Sequence, residues 1–296
     1  MDLQVFDSPA NFLALARPAL EEAEAANSLI YGLALGLERF PVRYSQPPYL
    51  GPSFLAAVIG PAGLALLALQ TPPFNLLVAS PHPAGLQPYL DLADRLLGSG
   101  WPVPGVLGPS EPARAFAEAW APLAGVSFTL ETSERLYQLR QVIPPPQPPG
   151  AMRLALDQDV ELVARWILAF QLEAMPREAR TLEQALWQAE ARIDACEFFL
   201  WDDRGPAAMA AKSRPTPNGC SIGPVYTPPE QRGRGYATAL TAALSQHLLD
   251  SGKHFTALFT DLANPTSNSI YQKIGYQPVG DFSEYNFSVD PKNISS

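Results

Sequence analysis

The chain has 296 residues, more than one hydrophobic core usually fills, so two domains are expected. Its 47% apolar and 17% charged residues exclude a disordered chain. A formal net charge of -9 repels phosphate backbones and anionic lipid, which sets nucleic acid and membrane aside as partners.

Two cysteines, Cys196 and Cys220, make no disulfide framework and stand in no metal-ligand spacing with His82, His247 or His254. Both read as small buried apolar side chains, and no metal is expected. The opening MDLQVFDSPA has neither the basic nor the apolar region of a secretory signal, so a cytoplasmic location is expected.

In chain order, helices are expected near Asn11 to Glu24 and Ser28 to Phe40. The most apolar run, Phe54 to Leu69, is shorter than the roughly 18 residues of a membrane helix and is broken by Gly60-Pro61-Ala62-Gly63. It reads as strands Phe54 to Ile59 and Leu64 to Gln70 joined by a hairpin. A strand at Phe74 to Ala79, a helix near Leu86 to Leu97, a short strand near Val106, a helix from Glu111 to Leu123 and a strand from Val126 to Gln141 complete the first half.

The proline run Pro144-Pro-Pro-Gln-Pro-Pro-Gly150 forms a semi-rigid extended spacer, because each proline fixes φ and lacks a donor. It divides the chain into residues 1–143, a linker at 144–150, and residues 151–296. Beyond it, apolar residues at helical spacing predict helices over Asp157 to Ala174 and Thr181 to Ala195, the second behind a Thr-x-x-Gln capping box. Strands Glu197 to Trp201, Ala207 to Ser213 and Cys220 to Tyr226 form a meander through Asp202-Asp203-Arg204-Gly205 and Asn218-Gly219 turns. A helix from Tyr236 to Asp250, a strand from Phe255 to Thr260, a helix from Pro265 to Ile274 and a closing strand from Tyr276 to Val289 follow. Asn264 is the natural cap of that last helix, and Gly275 the residue that ends it.

Between the meander and its following helix lies TPPEQRGRGYATAL, residues 227–240. A glycine-bearing turn at a helix N-terminus aims several backbone N–H groups at one point, where the helix dipole adds positive charge. That is an anion cradle, with Arg232 and Arg234 available for charge-assisted contacts. The corresponding stretch of the first half, Ala79-Ser-Pro-His-Pro-Ala-Gly85, replaces amide donors with prolines.

Arg232-Gly-Arg-Gly235-Tyr-Ala237, preceded by Val225-Tyr-Thr-Pro228, resembles the Arg/Gln-x-x-Gly-x-Gly/Ala motif of the GCN5-related N-acetyltransferase (GNAT) family. Asn264-Pro-Thr-Ser-Asn-Ser-Ile-Tyr271-Gln-Lys273-Ile-Gly275-Tyr276 is similar to its second motif, with Ser, Ile and Tyr in place of Ala, Leu and Phe. The resemblance covers about Leu154 to Phe287, while the first half shares only the order of its elements. It implies an α/β fold with a mixed sheet (α+β), built as tandem GNAT-like (acyl-CoA N-acyltransferase) domains, the first degenerate.

The resemblance further implies acetyl-CoA as co-substrate, wedged between the Cys220 to Tyr226 and Phe255 to Thr260 strands. Backbone of Val225, Tyr226 and Thr227 would pair with the pantetheine, and Gly233, Arg234, Gly235, Tyr236, Ala237 and Thr238 would hold the diphosphate. Asn264 and Ser267 would lie along the cofactor and Tyr271 beside its sulfur. Asn264 and Tyr271 are about two helical turns apart and so share a face. A tyrosine is protonated at neutral pH and suited to donate to a departing thiolate.

The acceptor implied is an amine of a small molecule or peptide. Glu173, Asp261 and Glu284 stand near element ends as carboxylates, none singled out as the base. Two other readings stay open: a non-catalytic acyl-CoA-binding sensor or partner-binding protein, and a dinucleotide-binding oxidoreductase. A Ser/His/Asp hydrolase is disfavoured by the lack of a Gly-x-Ser-x-Gly elbow.

Overall fold

The computed structural model describes residues 1–46, 48–174 and 181–289. In chain order its elements are β1 (Asp2–Val5), α1 (Pro9–Glu22), α2 (Ser28–Arg39), β2 (Phe54–Gly60), β3 (Gly63–Gln70), β4 (Leu76–Ala79), α3 (Gln87–Gly98), β5 (Gly105–Pro109), α4 (Ser110–Ala124) and β6 (Val126–Leu139). There follow β7 (Ala151–Leu154), α5 (Val160–Ala174), α6 (Leu182–Asp194), β8 (Phe198–Asp202), β9 (Pro206–Ser213), β10 (Gly219–Tyr226), α7 (Tyr236–Asp250), β11 (Phe255–Asp261), α8 (Pro265–Lys273) and β12 (Gln277–Val289).

Contacts divide the chain into two compact units. The first holds Met1–Leu136, Thr260–Ala263 and the chain from Val279; the second holds Tyr137–Phe259 and Asn264–Pro278. This division is not the linear one expected at the proline run, because residues 279–289 group with the first unit. There β12 pairs antiparallel with β5, from Phe282 opposite Pro109 to Asn286 opposite Gly105.

In the first unit the strands run β1-β2-β3-β4-β5-β12-β6; β1/β2, β2/β3, β3/β4 and β5/β12 pair antiparallel, and β4/β5 pairs parallel. Alternation along each strand sends side chains to opposite faces. Phe54, Ala56, Val58, Leu66, Ala68, Leu76 and Val78 pack with α3 and α4, whereas Leu55, Ala57, Leu67, Leu69, Leu77 and Ala79 pack with α1 and α2. Both faces are therefore covered, which explains why β2 and β3 read as one long apolar run. The expected hairpin closes between Gly60 and Gly63.

The second unit orders its strands β11-β10-β9-β8-β7. Phe198, Leu200, Met209 and Ala211 face α5 and α6; Phe199, Trp201, Ala208, Ala210, Cys220 and Ile222 face α7. The Thr181 capping box forms as expected, Thr181 Oγ1 accepting from the Gln184 N–H at 3.3 Å and Gln184 Oε1 accepting from the Thr181 N–H at 3.0 Å. Two strands went unforeseen, β1 and β7. Each has only four residues and pairs with a single neighbour in its own unit, so neither carries an alternation long enough to read.

Cys220 is buried as expected, but Cys196 is exposed. Its φ of +54° places it just past α6, where its N–H bonds the Ile193 carbonyl and its side chain points to solvent. No helix among the described residues is long and apolar enough to cross a membrane.

Candidate active site

The site is built where two strands of the second unit part. Parallel pairing of β10 with β11 runs from Gly219 opposite Phe255 to Ser221 opposite Ala257 and then stops. Past that point β10 shifts register against β9, resuming with Val225 opposite Ala210 and Tyr226 opposite Met209. Pro224 lies inside the shift; lacking an N–H, it cannot carry the ladder through. The result is a fork whose β10 arm, Val225 to Thr227, turns alternate backbone groups toward the open side. At its root the Ser221 hydroxyl is buried with no hydrogen-bond partner among the described residues, a feature the sequence did not announce.

Beyond the fork a short 3-10 turn, Pro229–Gln231, leads through an extended Arg232 to Gly233 and Gly235, whose φ angles are +78° and +83°. Only glycine adopts such angles without strain. Gly235 is the residue before α7 and caps it with no side chain; the Ala239 N–H makes the helix's first bond, to the Gly235 carbonyl. The N–H groups of Tyr236, Ala237 and Thr238 precede any intrahelical partner. None of the amides from Gly233 to Thr238 has another recorded partner among the described residues. A Cβ placed on Gly233 or Gly235 would meet nothing within 4 Å, so the space above the turn is open. These features fit a diphosphate held by backbone amides at a helix N-terminus.

Side chains of the turn behave differently from one another. Arg234 is exposed and has no carboxylate partner among the described residues. Arg232 is bound within the protein, its Nη2 donating to Glu173 Oε2 at 2.6 Å and its Nε to the Thr227 carbonyl at 2.9 Å. Tyr236 is buried against α7's core face and donates its hydroxyl to Asp203 Oδ2 at 2.6 Å, which leaves only its backbone toward the loop.

On the second motif, Asn264 Oδ1 accepts from the Ser267 N–H at 3.1 Å and so caps α8 as expected. Two turns later Tyr271 is 9% exposed, in an apolar cluster with Leu139, Leu258, Ile274 and Tyr276. Its hydroxyl makes no recorded hydrogen bond among the described residues, and burial pushes its pKa up to about 12. The phenol is thus a retained proton donor without a competing acceptor. The helix is held by partners distant in sequence: Tyr137 donates to Asn268 Oδ1 at 3.0 Å, and Gln272 Nε2 donates to the Tyr137 hydroxyl at 3.2 Å. Behind it the fully buried Tyr276 hydroxyl lies 2.9 Å from Ser245 Oγ and 2.8 Å from Thr256 Oγ1.

The three carboxylates noted in the sequence separate. Glu173 binds Arg232, Asp261 accepts from the Ala263 N–H at 2.7 Å, and Glu284 accepts from Asn75 Nδ2 at 2.7 Å within the first unit. Residues 175–180, between α5 and α6, lie outside the described residues.

Residues 203–285 match the family described as FR47-like protein. Mycothiol acetyltransferase of Thermobispora bispora is 29% identical over 288 residues, 89% of this chain and 90% of that protein. Its namesake from Paenarthrobacter aurescens is 41% identical over 59 residues, and that match spans only 18% of its length. Among solved structures, a tandem GNAT protein from the clavulanic acid biosynthesis pathway superposes with a TM-score of 0.60 at 14% identity, covering 98% of this chain and 99% of that one.

Proposed function

We propose, from the premise that this chain belongs to the GNAT superfamily as a tandem-domain member, that it is an N-acetyltransferase using acetyl-CoA as co-substrate. The acetyl group passes directly to an amine of a small molecule or peptide. The observation that carries this reading is the fork between β10 and β11 opening beside a turn whose amides have no partner among the described residues.

Val225, Tyr226 and Thr227 offer the β10 edge as a strand partner for the pantetheine arm, and the amides of Gly233 to Thr238 receive the diphosphate, with Arg234 adding charge. Asn264 and Ser267 line the cofactor from α8. Acetyl-CoA supplies the thioester that a neutral amine attacks. A backbone N–H of the Val225–Thr227 segment steadies the developing oxyanion; as the C–S bond breaks Tyr271 donates its proton to the departing sulfur, and the proton that the amine nitrogen loses passes to water, which reprotonates the phenolate. The Tyr271 hydroxyl carries its proton at neutral pH and has no hydrogen-bond acceptor among the described residues, which leaves that proton available to the sulfur.

An acetyl-CoA turnover screen across aminoglycosides, polyamines, amino acids and peptides, followed through free thiol, tests the reading. Thiol release that depends on one amine class is the expected result. Tight CoA binding with no turnover on any acceptor would instead favour a sensor.

A further inference from the structure

The first arginine of the Arg-Gly-Arg-Gly turn is the residue most readily given to phosphate, yet its guanidinium is committed elsewhere. Nη2 of Arg232 reaches both oxygens of Glu173, at 2.9 and 2.6 Å, and Nε donates to the Thr227 carbonyl at 2.9 Å. The group lies 5.8 Å from the centroid of the Tyr226 ring, whose hydroxyl donates to Glu173 Oε1 at 3.3 Å. Tyr226 in turn packs on Trp166 of α5, centroids 6.4 Å apart. One side chain therefore joins the last turn of α5, the end of β10 and the loop that enters α7.

The ion pair is half-exposed on both sides, 48% each, and pairs of that kind contribute little to stability. Its consequence is geometric. From Thr227 to Gly235 the chain has only one short 3-10 turn and two glycines at positive φ, the stretch with most freedom to lose when a ligand binds. The Nε bond fixes the Thr227 peptide, and the Glu173 carboxylate holds the guanidinium that makes that bond.

We propose that Glu173 and Arg232 are a positioning pair for acetyl-CoA: they set the backbone of Thr227 and of the following turn in the receiving shape, and Arg232 itself makes no phosphate contact. The inference rests on reading the fork as the acetyl-CoA site. It assigns Glu173 to cofactor binding through Arg232, and it leaves Arg234 and the backbone amides as the groups that meet the diphosphate.

Titration of CoA into the wild-type protein comes first; no binding there would overturn the site reading and the pair with it, whereas binding that none of the variants alters would overturn the pair alone. Glu173→Gln, Arg232→Gln, Arg232→Lys and the Glu173→Gln/Arg232→Gln double variant are then compared, with thermal melts as a folding check. A positioning pair predicts that each single variant raises Kd and KM for acetyl-CoA about tenfold, with kcat within about twofold. The double variant is then no worse than either single one. The lysine, which lacks the Nε donor, fails like the glutamine, and the loss persists with S-acetylpantetheine, which has no diphosphate. If Glu173→Gln leaves affinity unchanged while Arg232→Gln weakens CoA and spares S-acetylpantetheine, Arg232 is a phosphate ligand and the proposal is overturned.

Discussion

In the first unit, Gly108 of β5 lies so close to Val78 of β4 that a Cβ on it would overlap the Val78 carbonyl oxygen. The parallel pair that forks in the second unit thus stays shut here, past Leu76 opposite Val106 and Leu77 opposite Leu107. The turn after β4 has Pro81 and Pro83, and α3 has Pro88 in its first turn, so amide donors are missing where a phosphate would need them. Between the α1–α2 turn and the ends of β4 and β5 there remains a cavity of about 10 Å³, room for one water. One CoA per chain is the expected stoichiometry in calorimetric titration. Two sites of comparable affinity would show that the first unit opens.

Tyr271→Phe removes a hydroxyl that bonds nothing among the described residues, so the fold should keep its stability and CoA its affinity. If Tyr271 is the acid, kcat falls about 100-fold with KM for acetyl-CoA little changed. Because burial raises its pKa to about 12, the wild-type enzyme should lose no activity from this group where an exposed tyrosine would already ionise. A kcat for the phenylalanine variant within a few-fold of wild type would assign proton delivery elsewhere.

What the sequence disclosed and what it withheld differ by distance along the chain. The limits of α7 and α8 were readable because their determinants are local: Gly235 before the first helix, the Asn264 side chain on the Ser267 N–H, and Gly275 at φ +107° after the last turn. The same locality fixed the Thr181 box. Arg232 and Glu173 are 59 positions apart, and no spacing rule links a loop arginine to a helix-end carboxylate at that separation. The register in which β12 meets β5 and the burial of the Ser221 hydroxyl depend likewise on tertiary pairing. Cys196 was misplaced for a related reason: residue type favours burial, but its position just past α6 turns it outward.

Gly235→Ala tests the cradle at its narrowest requirement. The residue sits at φ +83°, where an alanine is strained by roughly 1–2 kcal/mol, and its new methyl would enter the open space above the turn. A modest drop in melting temperature should accompany a loss of CoA affinity of about tenfold or more; the backbone strain is present in free and bound protein alike, so the lost affinity reports the methyl standing where the diphosphate approaches. Unchanged affinity would mean that the diphosphate does not approach this backbone.

The second unit is expected to lose stability in acid. Arg153 Nη1 donates to Asp159 Oδ2 at 2.7 Å and its Nε to Asp202 Oδ2 at 2.8 Å, tying β7 to the turn before α5 and to β8. The Arg153 hydrogen bond is the main influence holding both carboxyls below the usual range, helped by the Leu156 N–H at Asp159 and the Gly205 N–H at Asp202, while burial opposes. A folded pKa below the unfolded one adds stability that is present above the unfolded value, about 3.9, and is lost as pH falls through the depressed one. Asp159→Asn should therefore cost about 2–3 kcal/mol at neutral pH, since Asp159 is nearly buried and its loss leaves Arg153 with Asp202 as its one carboxylate partner. In urea melts that deficit should shrink as pH drops below about 4, because the wild-type carboxyl then loses its charge too. A deficit that stays constant into acid would locate the cost in packing and not in the ion pair.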